Sequence, residues 1–341
     1  MPSKTKNVET CAVNTNDLDA FTSTGRPTAP HRTMIYGPGG TGKSTFCAEC
    51  PDVYFLPTDE GVNQIRVPQW KTRITSLDIL YRALDLLRDG KHPYRAVALD
   101  TVGDTEKLIC SKIEERLRAS KVKGPKTIAE MNDDYGAGHV AIADEWRILL
   151  GRLDELRDRR DMTVFLLGHS KAEQVNNLEG KDYTHFTIDL GGRRSAKLLI
   201  NWCDDVLFAR QDVLVSVDNK KVMALRGGLH IYTRPTASFD AKTRGEIPWP
   251  ERLPLNYATF ATVRDLIAHH GKDIASHLYG RLVEALKSID TTRRELALSA
   301  FERNANAGQW HIVSAIVEQA ESEARGDDSN ASNSTDEESE L

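Results

Sequence analysis

Between an apolar run, Thr33–Tyr36, and a helix-compatible stretch lies Gly37-Pro38-Gly39-Gly40-Thr41-Gly42-Lys43-Ser44. It matches the spacing GxxxxGK[ST] at every fixed position. No other segment constrains the fold as strongly, because the pattern works only where a buried strand turns sharply into a helix. The glycines let the backbone curl so that successive N–H groups face one point. A helix N-terminus adds its dipole there, and the ligand that suits both is a phosphate. The nucleotide-binding positions are therefore expected at Gly37, Pro38, Gly39, Gly40, Thr41, Gly42, Lys43, Ser44 and Thr45. Lys43 is assigned to the β- and γ-phosphates and Ser44 to Mg²⁺, so ATP and Mg²⁺ are the expected ligands.

Further apolar runs follow at Val53–Leu56, Ala96–Leu99, Thr163–Leu167, Asp205–Phe208 and Val213–Val217. Helical patterns separate them. Leu77, Leu80, Tyr81, Leu84 and Leu87 fall on one helix face, as do Trp146, Leu149, Leu150, Leu153 and Leu156. Strands separated by helices imply crossovers, hence an α/β fold with a mostly parallel central sheet. Gly227-Gly228 predicts a hairpin between Lys221–Arg226 and Leu229–Thr233, and Pro248, Pro250 and Pro254 predict a linker. The expected divisions are a flexible arm (1–30), an ATPase core (31–255), a small helical region (256–320) and a disordered acidic tail (321–341).

Three strand ends carry the remaining chemistry. Asp100 closes the run Ala96–Leu99 and is assigned to Mg²⁺ with Ser44. Asp59 and Glu60 follow Val53–Leu56, at the sheet edge where ligands of open parallel sheets bind. Glu60 is the candidate base for water, with Asp59 as the second choice. His169 follows Thr163–Leu167 and is the candidate γ-phosphate sensor.

The formal net charge is −5, which taken whole argues against nucleic acid. But residues 321–341 hold eight acids against one base, Arg325, a charge of −7 that leaves +2 for residues 1–320. Five scattered cysteines fit a reducing cytoplasm, and Cys47 and Cys50 are read as core filling. No apolar run is long enough for a membrane helix.

In order along the chain, GPGGTGKST (37–45), FLPTDEG (55–61), AVALDTVGD (96–104), DYGAG (134–138), FLLGHSKAE (165–173), WCDDVLFA (202–209) and FDAKTRGEIP (239–248) resemble the RecA-like P-loop ATPases. The likeness is strongest to the phage RecA-like ATP-binding proteins associated with single-strand annealing and recombination. It spans about residues 31–255. Phage relatives more often read FLDTEGG where this chain has Pro57 and an extra acid. The resemblance implies that Glu60 is the catalytic glutamate. It implies that His169 couples the γ-phosphate to a DNA-binding loop at about 170–194, with Lys171, Lys181, Arg193, Arg194, Tyr183 and Phe186. It also implies that Lys242 and Arg244, at i and i+2, enter a neighbouring subunit's ATP site in a ring or filament.

A second basic stretch, Lys112 to Lys126, lacks aromatics and is read as a solvated helix face. The expected function is an ATPase that binds single-stranded DNA and promotes annealing or recombination, in the host cytoplasm if phage-encoded. A single-strand-binding or replication protein is an expected further partner. A helicase-loader type of ATPase acting on a protein is the alternative reading, and a small-molecule P-loop kinase is the second alternative.

Overall fold

The computed structural model describes residues 30–325, apart from 62–64, 122, 134–135, 178–179, 219–220 and 246. The expected N-terminal arm, except Pro30, and residues 326–341 of the expected tail lie outside the described residues, as do Asp134 and Tyr135 of the DYGAG motif. The described strands are β1 (Arg32–Gly37), β2 (Val53–Pro57), β3 (Ala96–Asp100), β4 (Thr163–Val175), β5 (Tyr183–Ile188), β6 (Asp205–Asp218), β7 (Lys221–Tyr232) and β8 (Arg252–Pro254). The helices are α1 (Lys43–Ala48), α2 (Leu77–Asp89), α3 (Val102–Ala119), α4 (Ile128–Asn132), α5 (Ala137–Arg160), α6 (Arg193–Trp202), α7 (Tyr257–His270), α8 (Ile274–Ala285), α9 (Thr291–Asn306) and α10 (Trp310–Arg325).

The sheet runs β2-β3-β4-β1-β6-β7-β8, with β5 hairpinned onto the outer half of β4. From β2 to β6 every pairing is parallel; β7 and β8 add antiparallel strands. This is the expected α/β architecture with a mostly parallel sheet. The parallel strands are buried on both faces, so they read as continuous apolar runs. Alternate residues divide between two cores. Met34, Leu56, Leu99 and Leu166 pack under α2, α3, α5 and α6. Ile35, Phe55, Ala98, Phe165 and Leu207 pack against α1 and the C-terminal helices α7 to α10. Helix starts follow local capping chemistry: the Ser76 hydroxyl accepts from Ile79 N at 3.3 Å, and that of Thr101 accepts from Asp104 N at 3.3 Å.

Four expectations are corrected. β7 runs unbroken through Gly227-Gly228, and its partner is β6. The register shifts between Gln211 and Val213, so the two glycines face the single residue Asp212. They make a bulge rather than a turn: a Cβ on Gly227 would lie 3.0 Å from the Asp212 carbonyl oxygen. The proline-marked linker contains β8, an edge strand where a proline costs no ladder bond, and both Trp249 and Leu253 are buried. The expected 170–194 loop is the β4–β5 hairpin followed by the first turn of α6. Finally, α10 extends to Arg325, five residues into the expected disordered tail, and Glu321 there pairs with Arg281 at 2.9 Å.

Candidate functional site

The turn from β1 into α1 supplies the cradle. Gly37 has no room for a side chain, since a Cβ would sit 2.0 Å from the Ala209 carbonyl oxygen. Gly40 (φ 72°) and Gly42 (φ 86°) occupy the left-handed region that glycine enters freely. The Lys43 ammonium is buried and donates to the carbonyls of Gly37 at 3.0 Å and Pro38 at 2.8 Å. Burial pulls it down to about 8, with Asp100 opposing the shift.

Register brings the other groups to the same edge. Asp100 pairs with Pro57 on β2 and Leu167 on β4, while His169, two residues further along β4, lies opposite Gly37. β4 separates β3 from β1, yet the Ser44 hydroxyl spans it and donates to Asp100 Oδ2 at 2.6 Å. Burial pushes the Asp100 carboxyl up; Ser44 opposes this and Asp59 reinforces it. Two oxygen donors, Ser44 Oγ and an Asp100 carboxylate, form a donor set that fits a hard cation such as Mg²⁺.

The two acids after β2 diverge. Asp59 Oδ2 lies 4.0 Å from His169 Nε2 and faces the site. Glu60 turns outward, 76% exposed, and accepts from Arg73 at 2.9 Å. Thr58 was not foreseen as a site residue. Its hydroxyl donates to the Thr101 carbonyl at 2.9 Å and accepts from Thr101 N at 2.8 Å, while its own N–H donates to the Asp100 carbonyl at 2.7 Å. It thereby fixes the backbone that presents Asp100. A buried threonine at a strand end was the available sequence signal. Beyond His169 lies a cavity of about 470 Å³ lined by Thr101, Asp104, Lys107, His169 and Asp189.

The hairpin leads away from this edge. Lys171 Nζ donates to the Leu190 carbonyl at 2.7 Å and pairs with Glu173 at 3.4 Å. Lys181 and Arg194 are exposed. The Arg193 side chain lies outside the described set. Phe186 stacks on Phe208 with centroids 5.8 Å apart, so it belongs to the packing.

A family model described as an AAA domain matches residues 29–245, more than half of the chain. The chain belongs to this AAA-domain family. No curated protein matches it. Among solved structures, the crystal structure of the RadB recombinase is similar at 13% identity and a TM-score of 0.30, covering 60% of this chain and 87% of that one. As an AAA domain with a Gly37–Ser44 P-loop, the chain is a P-loop ATPase.

Lys242 and Arg244 lie at the far edge of this AAA domain's sheet. Lys242 bridges Val206, which registers with Met34, and Arg244 N reaches Asp205. Met34 is three residues below Gly37, about 10 Å at strand rise, so neither cation meets its own P-loop. Both have partners within the chain. Lys242 Nζ donates to the last-turn carbonyl of Ile200 at 2.7 Å, and Arg244 pairs with Asp204 at 3.4 Å while 57% exposed. On α3 the basic stretch is paired: Lys112 with Asp78, Arg116 with Glu145 and Arg118 with Glu114. Cys47 and Cys50 are buried and free. Among the described residues, no helix is long and apolar enough to cross a membrane.

Proposed function

We propose that this chain binds and hydrolyses ATP at Gly37–Thr45 and uses the nucleotide state to control single-stranded DNA on the β4–β5 hairpin. The observation that carries the reading is the Ser44–Asp100 hydrogen bond at 2.6 Å, with His169 opposite Gly37 on the strand that becomes the hairpin. Lys43 would hold the β- and γ-phosphates, and Ser44 with Asp100 would hold Mg²⁺. When bound, that ion neutralises charge developing on the phosphates. Asp59 is the better placed acid to orient and deprotonate water, because Glu60 is turned toward Arg73. His169 reads the γ-phosphate and is tied to the hairpin's return strand through its carbonyl, which accepts from Asp189 N at 2.8 Å.

Lys171, Lys181, Arg193 and Arg194 are the proposed DNA contacts, with Tyr183 as the stacking ring. Arg244, the more exposed of the far-edge pair, is the cation best placed to complete a neighbour's site in a ring or filament, with Lys242 beside it. On the strength of the sequence resemblance, the proposed process is annealing or recombination in phage DNA metabolism. Filter binding with single-stranded DNA, with and without ATP and across salt, tests the reading. Binding should depend on ATP and weaken with salt; no binding in either state would sink it.

A further inference from the structure

The P-loop helix α1 is six residues long, too short to hold its own position in water. Its neighbours must place it, and besides β1 and β4 these include residues outside the matched family segment, which ends at residue 245. Phe46 meets the edge of Tyr257 at 5.7 Å and of Phe260 at 5.7 Å. Cys50 Sγ lies 3.2 Å from the Tyr257 hydroxyl. Glu49, the C-cap of α1, accepts from Tyr257 N at 2.8 Å and from Asn256 Nδ2 at 3.3 Å. It therefore satisfies a free N–H at the start of α7. Leu255 Cδ2 lies 3.4 Å from where a Cβ on Gly42 would stand. The same Tyr257 ring meets Phe165 at 6.1 Å, on the strand that carries His169.

We infer that residues 255–260 are a strut through which the C-terminal helices set the position of the P-loop, with Tyr257 and Glu49 as its positioning residues for nucleotide. The inference rests on the reading that Gly37–Thr45 binds ATP. One end of the strut is anchored in the core shared by α7, α8 and α10, where Phe260, Leu278 and Val317 are fully buried. The other end meets α1 and β4 and is tied to β7, where Leu255 N donates to the Leu229 carbonyl at 3.0 Å. Loosening the α1 end should let the phosphate cradle wander without unfolding the bundle, so nucleotide binding suffers while chemistry on bound nucleotide does not.

The test is Mg·ATP affinity and steady-state kinetics on the full chain for Glu49→Ala, Glu49→Gln and Tyr257→Leu, with Leu278→Ala as a stability control. Glu49→Ala should raise Kd and KM about tenfold, the scale of one charge-assisted hydrogen bond, and Tyr257→Leu, which removes the ring contacts with Phe46 and Phe165 and the hydroxyl at Cys50, should raise both too, each with kcat little changed. Glu49→Gln keeps an acceptor and should stay near wild type. Leu278→Ala should lower Tm without moving Kd. Unchanged Kd in Glu49→Ala, or an equal rise in Leu278→Ala, overturns the strut. If Tyr257→Leu does not fold, Glu49→Ala against Glu49→Gln decides alone. Wild type that binds no ATP, or Lys43→Ala that binds as wild type does, instead overturns the reading beneath it.

Discussion

The Ser44 hydroxyl donates to Asp100 Oδ2 at 2.6 Å across an intervening strand, joining the end of the phosphate loop to the acid that closes β3. Neither group has this neighbour through local sequence; the order β3-β4-β1 creates the contact. Asp100→Asn keeps the shape and an acceptor for Ser44 but removes the charge. It should lower kcat by about 10²-fold or more, as losing an electrostatic partner of a transition state does. Removing a carboxyl that burial already disfavours should leave Tm equal or higher. A Mg²⁺ titration of ATP turnover, run beside thermal melts, measures both.

The two acids after β2 should separate in kinetics. Asp59→Asn should cost about 10²-fold in kcat, the usual scale for a general base, and Glu60→Gln less than about tenfold. Arg73→Ala, which frees Glu60, should leave kcat close to wild type. A larger loss in Glu60→Gln than in Asp59→Asn would return the role to Glu60 and imply that its pairing with Arg73 breaks when ATP binds.

Lys43 predicts a pH dependence with a definite sign. Its folded value is about 8 against 10.5 in the open chain. Between those values the unfolded chain holds more protons, so stability rises as pH climbs through this window. Wild type should therefore gain on Lys43→Met in urea unfolding between about pH 8 and about pH 10.5. ATP affinity should move the opposite way, because the phosphates need the ammonium.

At the far edge, Arg32 donates to both oxygens of Asp204, from Nη2 at 3.0 Å and from its backbone N at 3.1 Å. Burial alone would raise the Asp204 carboxyl, but the bonds from Arg32 win and hold it below the usual carboxylate range. Its stabilising contribution is present above the ordinary carboxylate pKa and is lost as pH falls through the depressed folded value. Asp204→Asn should cost about 2–3 kcal/mol at neutral pH, because a largely buried guanidinium loses the nearer of its two charge partners and keeps only Asp154 at 3.4 Å. Denaturant melts at neutral and acid pH check the size and the sign.

On the hairpin, Lys181→Ala and Arg194→Ala should each weaken single-stranded DNA binding and flatten its salt dependence by about 0.7 per lost phosphate contact. Lys171→Ala should also disturb the hairpin base, since its ammonium holds the Leu190 carbonyl. Thermal melts distinguish a lost contact from a loosened hairpin.

Much of this site is legible in the sequence because its determinants are local. Gly37–Ser44 must be a strand-to-helix turn, and continuous apolar runs ending in Asp100 and His169 mark buried parallel strands. What was not legible depends on pairing. The Gly227-Gly228 bulge is set by Asp212 on another strand. The β4–β5 hairpin is docked onto β1 beside Tyr36, whose hydroxyl donates to the Asp240 carbonyl at 2.5 Å and lies 3.3 Å from the Phe186 carbonyl. The orientation of Glu60 follows from Arg73, and the divergence of Asp59 and Glu60 is a matter of side-chain direction that one-residue spacing leaves open.

The most direct test of the account is ATP hydrolysis by wild type and His169→Ala, each with and without single-stranded DNA. The account predicts that DNA accelerates the wild type, and that His169→Ala binds both ligands but ignores the DNA. Wild type that does not hydrolyse ATP under either condition, or that turns over at the same rate with and without DNA, would contradict it.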